Sequence, residues 1–394
     1  MNEKRIRVAY LDHAGDIGGG AQEALLDILR YLDRDVVAPV LLHAERAEWL
    51  RDVDLSGVTC RAVFPASAAV LEHSRDELAG LGARLTGIWQ SLRPLRQLRR
   101  AFLEEDVDIV HTNTLKCHVL GGLAAKWAGK ALVWDVRDIL EPGPVRSLLI
   151  RVAKMTRPHI VAMSAAVAAS LADAHCDTTV VLGARPIAKY QPRPPNEKLR
   201  EELRLQAGAR VLSVIARLTP WKGHQILLRA FREVLQQQPQ ARLLVIGDTG
   251  FWDSDYKQAL QQQAQELGCA EAIRWLGFRE DIPELLALTD VVVLPSRDEP
   301  FGMVLIEAMA AEKPVIATRT AGPLEIVEEG ATGLLVEHGN ADELAEAIVE
   351  LLRDPDRAQA MGKAGRRRAV ELFDISRLIN QLYGVYEAVG RSQR

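Results

Sequence analysis

The chain has 394 residues, 48% hydrophobic and 26% charged, with a net charge of -4. Such a length can bury the cores of two domains, and the composition is that of an ordinary globular protein. The acidic balance argues against a general nucleic-acid binder, so no nucleic-acid partner is expected. Met1 to Leu11 holds too short and too charged an apolar stretch for a signal peptide. In chain order, the β-branched runs Arg7–Leu11, Val36–Leu42, Ile109–Thr112, Leu132–Val136, His159–Ala162 and Thr179–Leu182 predict strands. Helical patterns lie between several of them, at Ala21–Tyr31 and Gly121–Ala128. The longest apolar stretch, Val119 to Trp134, is broken by Lys126 and Lys130, so no membrane span is expected. A proline-rich, charged segment from Arg185 to Arg204 reads as a linker. Alternation then resumes at Val211–Ala216, Arg242–Gly247, Ile273–Leu276, Val291–Leu294 and Val315–Thr318. Strand–helix alternation of this kind predicts parallel sheets covered on both faces. Cys60, Cys117, Cys176 and Cys269 are scattered without close pairs, which points to reduced thiols in a cytoplasmic protein.

In open α/β sheets ligands lie beyond the carboxyl ends of the strands, so residues at those ends carry the functional reading. Gly18, Gly19 and Gly20 follow the first strand and precede a helix, where a bare backbone can approach an anion. His111 to Thr114, with Asn113, stand at another strand end and are read as an acceptor contact or a loop cap. Arg217 directly follows Val211–Ala216, and Lys222 stands five residues on, just before Gly223 and a helix. A guanidinium fork and a compact ammonium can together neutralise a diphosphate. Glu299 falls on the loop after Val291–Leu294, and Glu307 about one turn inside a helix opened by Gly302. Between these carboxylates, free N–H groups near Gly302, Met303 and Val304 offer an anion site at the positive end of the helix dipole. A phosphate cradle flanked by two hydroxyl-binding carboxylates suits a sugar nucleotide.

Taken together, Ile215-Ala216-Arg217-Leu218-Thr219-Pro220-Trp221-Lys222-Gly223, the Glu299–Glu307 block, Pro314-Val315-Ile316-Ala317-Thr318 and Gly330-Ala331-Thr332-Gly333-Leu334-Leu335-Val336 resemble the family 4 retaining glycosyltransferases of GT-B architecture. The resemblance implies an α/β fold of two doubly wound Rossmann-like domains facing a central cleft. An acceptor domain would span 1–184 and a nucleotide-sugar domain 185–374, with a linker at about 185–204 and a last helix in 375–394 returning to the first domain. It implies retaining transfer of a sugar from a nucleoside-diphosphate donor, a UDP- or GDP-sugar, to a hydroxyl acceptor. Polysaccharides, glycolipids and small glycosides are the implied products. Arg217 and Lys222 would hold the diphosphate with Phe301, the backbone of Gly302 to Val304 and the Gly18–Gly20 loop. Glu307 would bind the ribose, Glu299 the transferred sugar, and Phe278 and Arg279 the base. No cofactor or metal is implied, so Asp253-Ser254-Asp255 reads as a polar loop.

Departures from the family pattern are specific. Asp135, Arg137 and Asp138 occupy a strand end where many relatives place a histidine near the reacting sugar, and an arginine cannot act as a base. These residues are read as contacts to sugar or acceptor. The family's Asn-Gly turn near the hinge is replaced by Leu182-Gly183-Ala184-Arg185-Pro186. A sugar-nucleotide epimerase of the same fold and a catalytically silent sugar-nucleotide binder are the alternatives. The segment Leu78–Leu103 carries Arg84, Arg93, Arg96, Arg99 and Arg100 without an acidic residue. It is either a covering helix with a solvated basic face or a salt-sensitive peripheral contact with the inner face of an anionic membrane.

Overall fold

A computed structural model describes residues 5–15, 19–51, 53–64, 83–249 and 254–391, leaving aside the side chains of 83–92 and Ser254. The chain divides into two compact units, residues 1–182 with 375–394 and residues 183–374.

The first unit is built on a parallel sheet of β1 (Ile6–Leu11), β2 (Val37–Ala44), β3 (Thr59–Phe64), β4 (Ile109–Thr112), β5 (Ala131–Val136), β6 (His159–Ala162) and β7 (Thr178–Val180). Its order is β3-β2-β1-β4-β5-β6-β7, so the winding reverses between β1 and β4. β4 and β5 are buried along their whole length, as strands covered on both faces must be, and are apolar except for His111, Thr112 and Asp135 near their carboxyl ends. β3 escaped the sequence reading because it is an edge strand whose first four residues are not buried. The helix predicted at Gly121–Ala128 begins earlier, at Leu115, where Thr114 Oγ1 accepts from Cys117 N. Gly121 and Gly122 look like helix breakers but serve close packing. A Cβ on Gly121 would lie 2.8 Å from both Leu11 and Thr112 side chains, so the helix rests directly on β1 and β4. The last helix, Ile375–Arg391, buries Ile375, Leu378, Ile379, Leu382, Val385 and Tyr386 at helical spacing. It packs on the first helix, Gly20–Tyr31, and on β4 and β5.

The second unit holds β8 (Arg210–Ile215), β9 (Ala241–Ile246), β10 (Ile273–Gly277), β11 (Val291–Leu294), β12 (Val315–Thr318) and β13 (Gly333–Val336). Their parallel order, β10-β9-β8-β11-β12-β13, reverses between β8 and β11. Asn340 and Asp354 cap the helices Ala341–Arg353 and Pro355–Leu372 through their side chains, which fixes where each begins. Among the described residues no helix is long and apolar enough to cross a membrane. All four cysteines are free thiols.

Candidate functional site

Many of the residues singled out from the sequence stand where the strand order reverses, at the carboxyl ends of β8 and β11 in the second unit and of β1 and β4 in the first. Phe278 and Arg279 instead follow β10, and Asp135, Arg137 and Asp138 stand at the end of β5. After β8 the chain makes one tight turn, Pro220–Lys222, ended by Gly223 at φ +75°. A Cβ on Gly223 would stand 2.0 Å from the Pro295 carbonyl oxygen, so only glycine lets this turn lie against the loop after β11. Arg297 N donates to Trp221 O at 2.7 Å and ties the two segments together.

Lys222 Nζ consequently reaches Glu299 Oε2 at 2.6 Å and lies 4.0 Å from the centre of the Trp221 ring. Both charges are largely withdrawn from water, with side-chain exposures of 14% and 8%, so their attraction is little screened. Arg217 is exposed, and its guanidinium has no hydrogen-bond or ion-pair partner among the described residues. It is a free cation at the mouth of the crevice. Helix Met303–Ala310 starts from Gly302 in the left-handed region, φ +104°, and its first N–H groups have no intrahelical acceptor. Glu307 is buried within it and takes Arg185 Nε at 2.7 Å.

Arg185 was read only as part of the hinge. Its own N–H donates to Phe373 O at 3.0 Å, which sets the guanidinium beside the helix. No local signal could reveal a partner 122 residues away. Phe301 is a correction, since its ring is 1% exposed and packs edge-on against Phe373, 5.9 Å between centroids. It supports the loop from the core side. Arg279 also differs from the expected base contact. Its guanidinium is taken by Asp281, at 2.7 and 2.6 Å, and by Glu202 at 3.2 Å, and those carboxylates push its pKa up. Phe278, 58% exposed beside it, remains open. Asp253 lies outside the described residues, and Asp255 sits in the first turn of helix Ser254–Glu266.

In the first unit, Gly18 lies outside the described residues, while Gly19 caps helix Gly20–Tyr31. Gly19 N donates to Gln22 Oε1 at 2.9 Å, and Gln22 Nε2 donates in turn to the buried Asp12 at 2.9 Å. Asp12 also accepts from Ala14 N at 2.7 Å and Asn113 Nδ2 at 3.1 Å, though burial still raises its pKa. Beside it, His13 Nδ1 meets Thr114 Oγ1 at 3.0 Å, and burial lowers the ring's pKa to about 4. His118, stacked on Trp134 at 5.0 Å, is lowered by burial to about 3.

His111 Nδ1 is 2.9 Å from the Tyr386 hydroxyl, while its Nε2 stands 3.6 Å from Asp135 Oδ2. Asp135 receives Arg137 Nη2 at 2.7 Å and Nε at 3.1 Å. Burial opposes its ionisation, but Arg137 and His111 outweigh that and hold the carboxyl at about 2. The expected sugar or acceptor contacts therefore separate. His111, Asn113 and Asp135 are buried supports, whereas the part-exposed Arg137 and the exposed Asp138 are accessible. Asp12, Tyr10 and Tyr386 were missed, because each acts through a partner remote in sequence.

The basic helix Ala83–Glu104 buries Leu98, Ala101 and Phe102. Arg99 stacks 5.0 Å from the Trp127 ring centre and Arg100 pairs with Glu104 at 2.5 Å, while Arg93 and Arg96 are exposed.

Comparison with known proteins gives two family matches. Residues 195–368 match the glycosyl transferases group 1 model and residues 18–182 the glycosyltransferase family 4 model. The chain is similar to a D-inositol 3-phosphate glycosyltransferase of Corynebacterium jeikeium, 35% identical over 48% of this chain and 46% of that protein. It is also similar to a GDP-mannose-dependent alpha-(1-6)-phosphatidylinositol monomannoside mannosyltransferase of Mycolicibacterium smegmatis, 35% identical over 45% of this chain and 48% of the relative. The chain thus spans about half the length of these curated relatives. Among solved structures, Anabaena HepE in complex with UDP-glucose superposes with a TM-score of 0.83 at 27% identity, covering 98% of this chain and all of that one.

Proposed function

This chain belongs to glycosyltransferase family 4 with the GT-B architecture, and we propose that it moves a sugar from a nucleoside diphosphate to an acceptor hydroxyl with retention of configuration. The observation that carries this reading is the crevice at β8 and β11. It joins the cations Lys222, Arg185 and Arg217, a helix amino terminus and two buried carboxylates at the ends of adjacent strands. Arg217 and Lys222 hold the donor diphosphate, and the first N–H groups of helix Met303–Ala310 complete the cradle. Glu307, fixed by Arg185, accepts from the ribose hydroxyls. Glu299 accepts from the transferred sugar and keeps Lys222 close to the departing phosphate.

Positioning and stabilisation of charge on the leaving diphosphate supply the rate enhancement. The acceptor attacks from the face the diphosphate leaves, and a phosphate oxygen takes its proton. Because arginine, lysine and helix-end N–H groups provide the positive field, transfer proceeds in excess chelator. HepE, crystallised with UDP-glucose, supports a UDP-sugar donor. The inositol-phosphate and phosphatidylinositol mannoside relatives support an acceptor in glycolipid or small-glycoside synthesis. A thermal-shift screen of UDP-, GDP- and ADP-sugars tests the donor, since a bound ligand raises Tm by mass action. Stabilisation by UDP and UDP-glucose is the expected result. No response to any nucleotide sugar would overturn the reading.

A further inference from the structure

The buried chain of groups that ends on Arg137 takes part in no step above. The Tyr10 hydroxyl lies 2.9 Å from that of Tyr386, which lies 2.9 Å from His111 Nδ1. Both phenols are fully buried, and burial raises their pKa, so each keeps its proton.

For a His111 ring that carries one proton, two arrangements satisfy these distances. In one, His111 donates from Nδ1 to Tyr386 and Tyr386 donates to Tyr10. The Tyr10 proton then has no acceptor among the described residues, and the bare Nε2 lone pair faces the Asp135 carboxylate at 3.6 Å. In the other, Tyr10 donates to Tyr386 and Tyr386 donates to Nδ1. With one proton on the ring, that proton then sits on Nε2 and points its positive end at Asp135. The second leaves no phenol proton stranded and no lone pair against a carboxylate. It is the lower in energy.

The same carboxylate oxygen receives both Nε and Nη2 of Arg137, which leaves Nη1 without a partner among the described residues at the carboxyl end of β5. Exposure along the chain rises only at its end: 0% for both tyrosines, 1% for His111, 3% for Asp135, then part-exposed Arg137. We infer that Tyr386, on the last helix, is a positioning residue for Arg137. By donating to Nδ1 it holds His111 as the Nε2–H tautomer, which steadies Asp135 and the guanidinium that Asp135 grips. Arg137 is thereby presented with Nη1 free to donate to a substrate oxygen.

NMR of protein labelled with 15N in histidine and arginine tests this without turnover. In the wild type, His111 should show a protonated Nε2 and a hydrogen-bonded, unprotonated Nδ1, with Arg137 Nε–H protected from exchange with water. Tyr386→Phe should mix the tautomers and speed Arg137 Nε–H exchange about tenfold, the scale of one lost hydrogen bond. Tyr383→Phe is the control, because that hydroxyl, on the same helix, only accepts from Asp33 N at 2.6 Å at the surface. It should match the wild type. The kinetic arm rests on the transferase reading: Tyr386→Phe should lower kcat about tenfold at unchanged donor KM.

A protonated Nδ1 in the wild type, unchanged Arg137 exchange in Tyr386→Phe, or equal losses in both tyrosine variants would each overturn the inference. Should Tyr386→Phe fail to fold, the wild-type tautomer still decides, together with Tyr10→Phe, which should preserve it. An inactive wild type with the expected NMR signature would sink the transferase reading alone.

Discussion

The crevice at β8 and β11 and the crevice at β1 and β4 share one topology and differ in chemistry. Both lie where the winding of a parallel sheet reverses, so the fold brings loop residues together in each. In the second unit those residues are ions: Lys222 on Glu299, Arg185 on Glu307, and the Arg217 guanidinium with no partner among the described residues. In the first they form hydrogen-bonded clusters around Asp12 and His111, and Arg137 is the cation at the open end. Topology thus settles where a site can be, and the side chains settle whether it holds charge or shape. Under the transferase reading proposed above, the anionic donor falls to the crevice of ions and the hydroxyl acceptor to the other.

Breaking the comparison in the second unit should have the largest effect. Arg185→Met removes the guanidinium that holds the buried Glu307 carboxylate and should cost about 3–5 kcal/mol of stability, read from urea unfolding. A loss below about 1 kcal/mol would mean that Glu307 is already neutralised by another group. Next come the diphosphate contacts. Arg217→Ala and Lys222→Ala should each weaken UDP binding by roughly 1.5–3 kcal/mol in calorimetry. Asn113→Ala, in the other crevice, should leave it unchanged. If the first-unit variant weakened UDP binding equally, the division of labour between crevices would be wrong.

Acid sharpens the contrast. Burial lowers His13 to about 4 and His118 to about 3 in the first unit, and His224 to about 4 in the second. An unfolded histidine binds a proton below about pH 6.5, whereas these folded ones wait until about 4 or below. The unfolded state therefore takes up more protons in that window, and stability falls as pH drops. The slope is about 1.4 kcal/mol per pH unit for each histidine. With two such rings against one, the first unit should lose protection faster between pH 6.5 and 4.5 in hydrogen exchange. Parallel losses in both units would contradict the assignment. Asp12, whose pKa is raised by burial, works in the opposite sense near its own lower range.

The smallest effect concerns helix Ala83–Glu104. With Arg99 on Trp127 and Arg100 on Glu104, exposed Arg93 and Arg96 should give weak binding to anionic vesicles at low salt. Each free arginine near the surface adds at most about 1 kcal/mol, lost at physiological salt. Equal sedimentation with neutral vesicles would leave this helix a plain cover.

Much of this was legible in the sequence for a physical reason. Strands buried on both faces are mostly apolar and β-branched, so β4, β5, β8 and β11 announce themselves. Strand ends then mark Lys222, Glu299 and Glu307 without further information. Half-exposed β3 carries no such signal, and a glycine pair hid the true start of helix Leu115–Ala128. Arg185, Asp12 and Tyr386 were illegible because their partners stand 122, 101 and 275 residues away. Phe301 misled for the opposite reason: sequence position placed it at the site, and only packing shows that its ring turns inward.

The return of the last helix to the first unit bears on the order of synthesis. A ribosome delivers every residue of the second unit, through Asp374, before it delivers Tyr386. Arg185 and Asp374 pair at the two ends of that unit, so its own contacts can close without the last helix. Tyr10 and His111 emerge far earlier and meanwhile wait without the hydroxyl that completes their core. The earlier-made sheet is thus the later one to mature, and nascent chains halted before residue 375 should expose its apolar surface to chaperones.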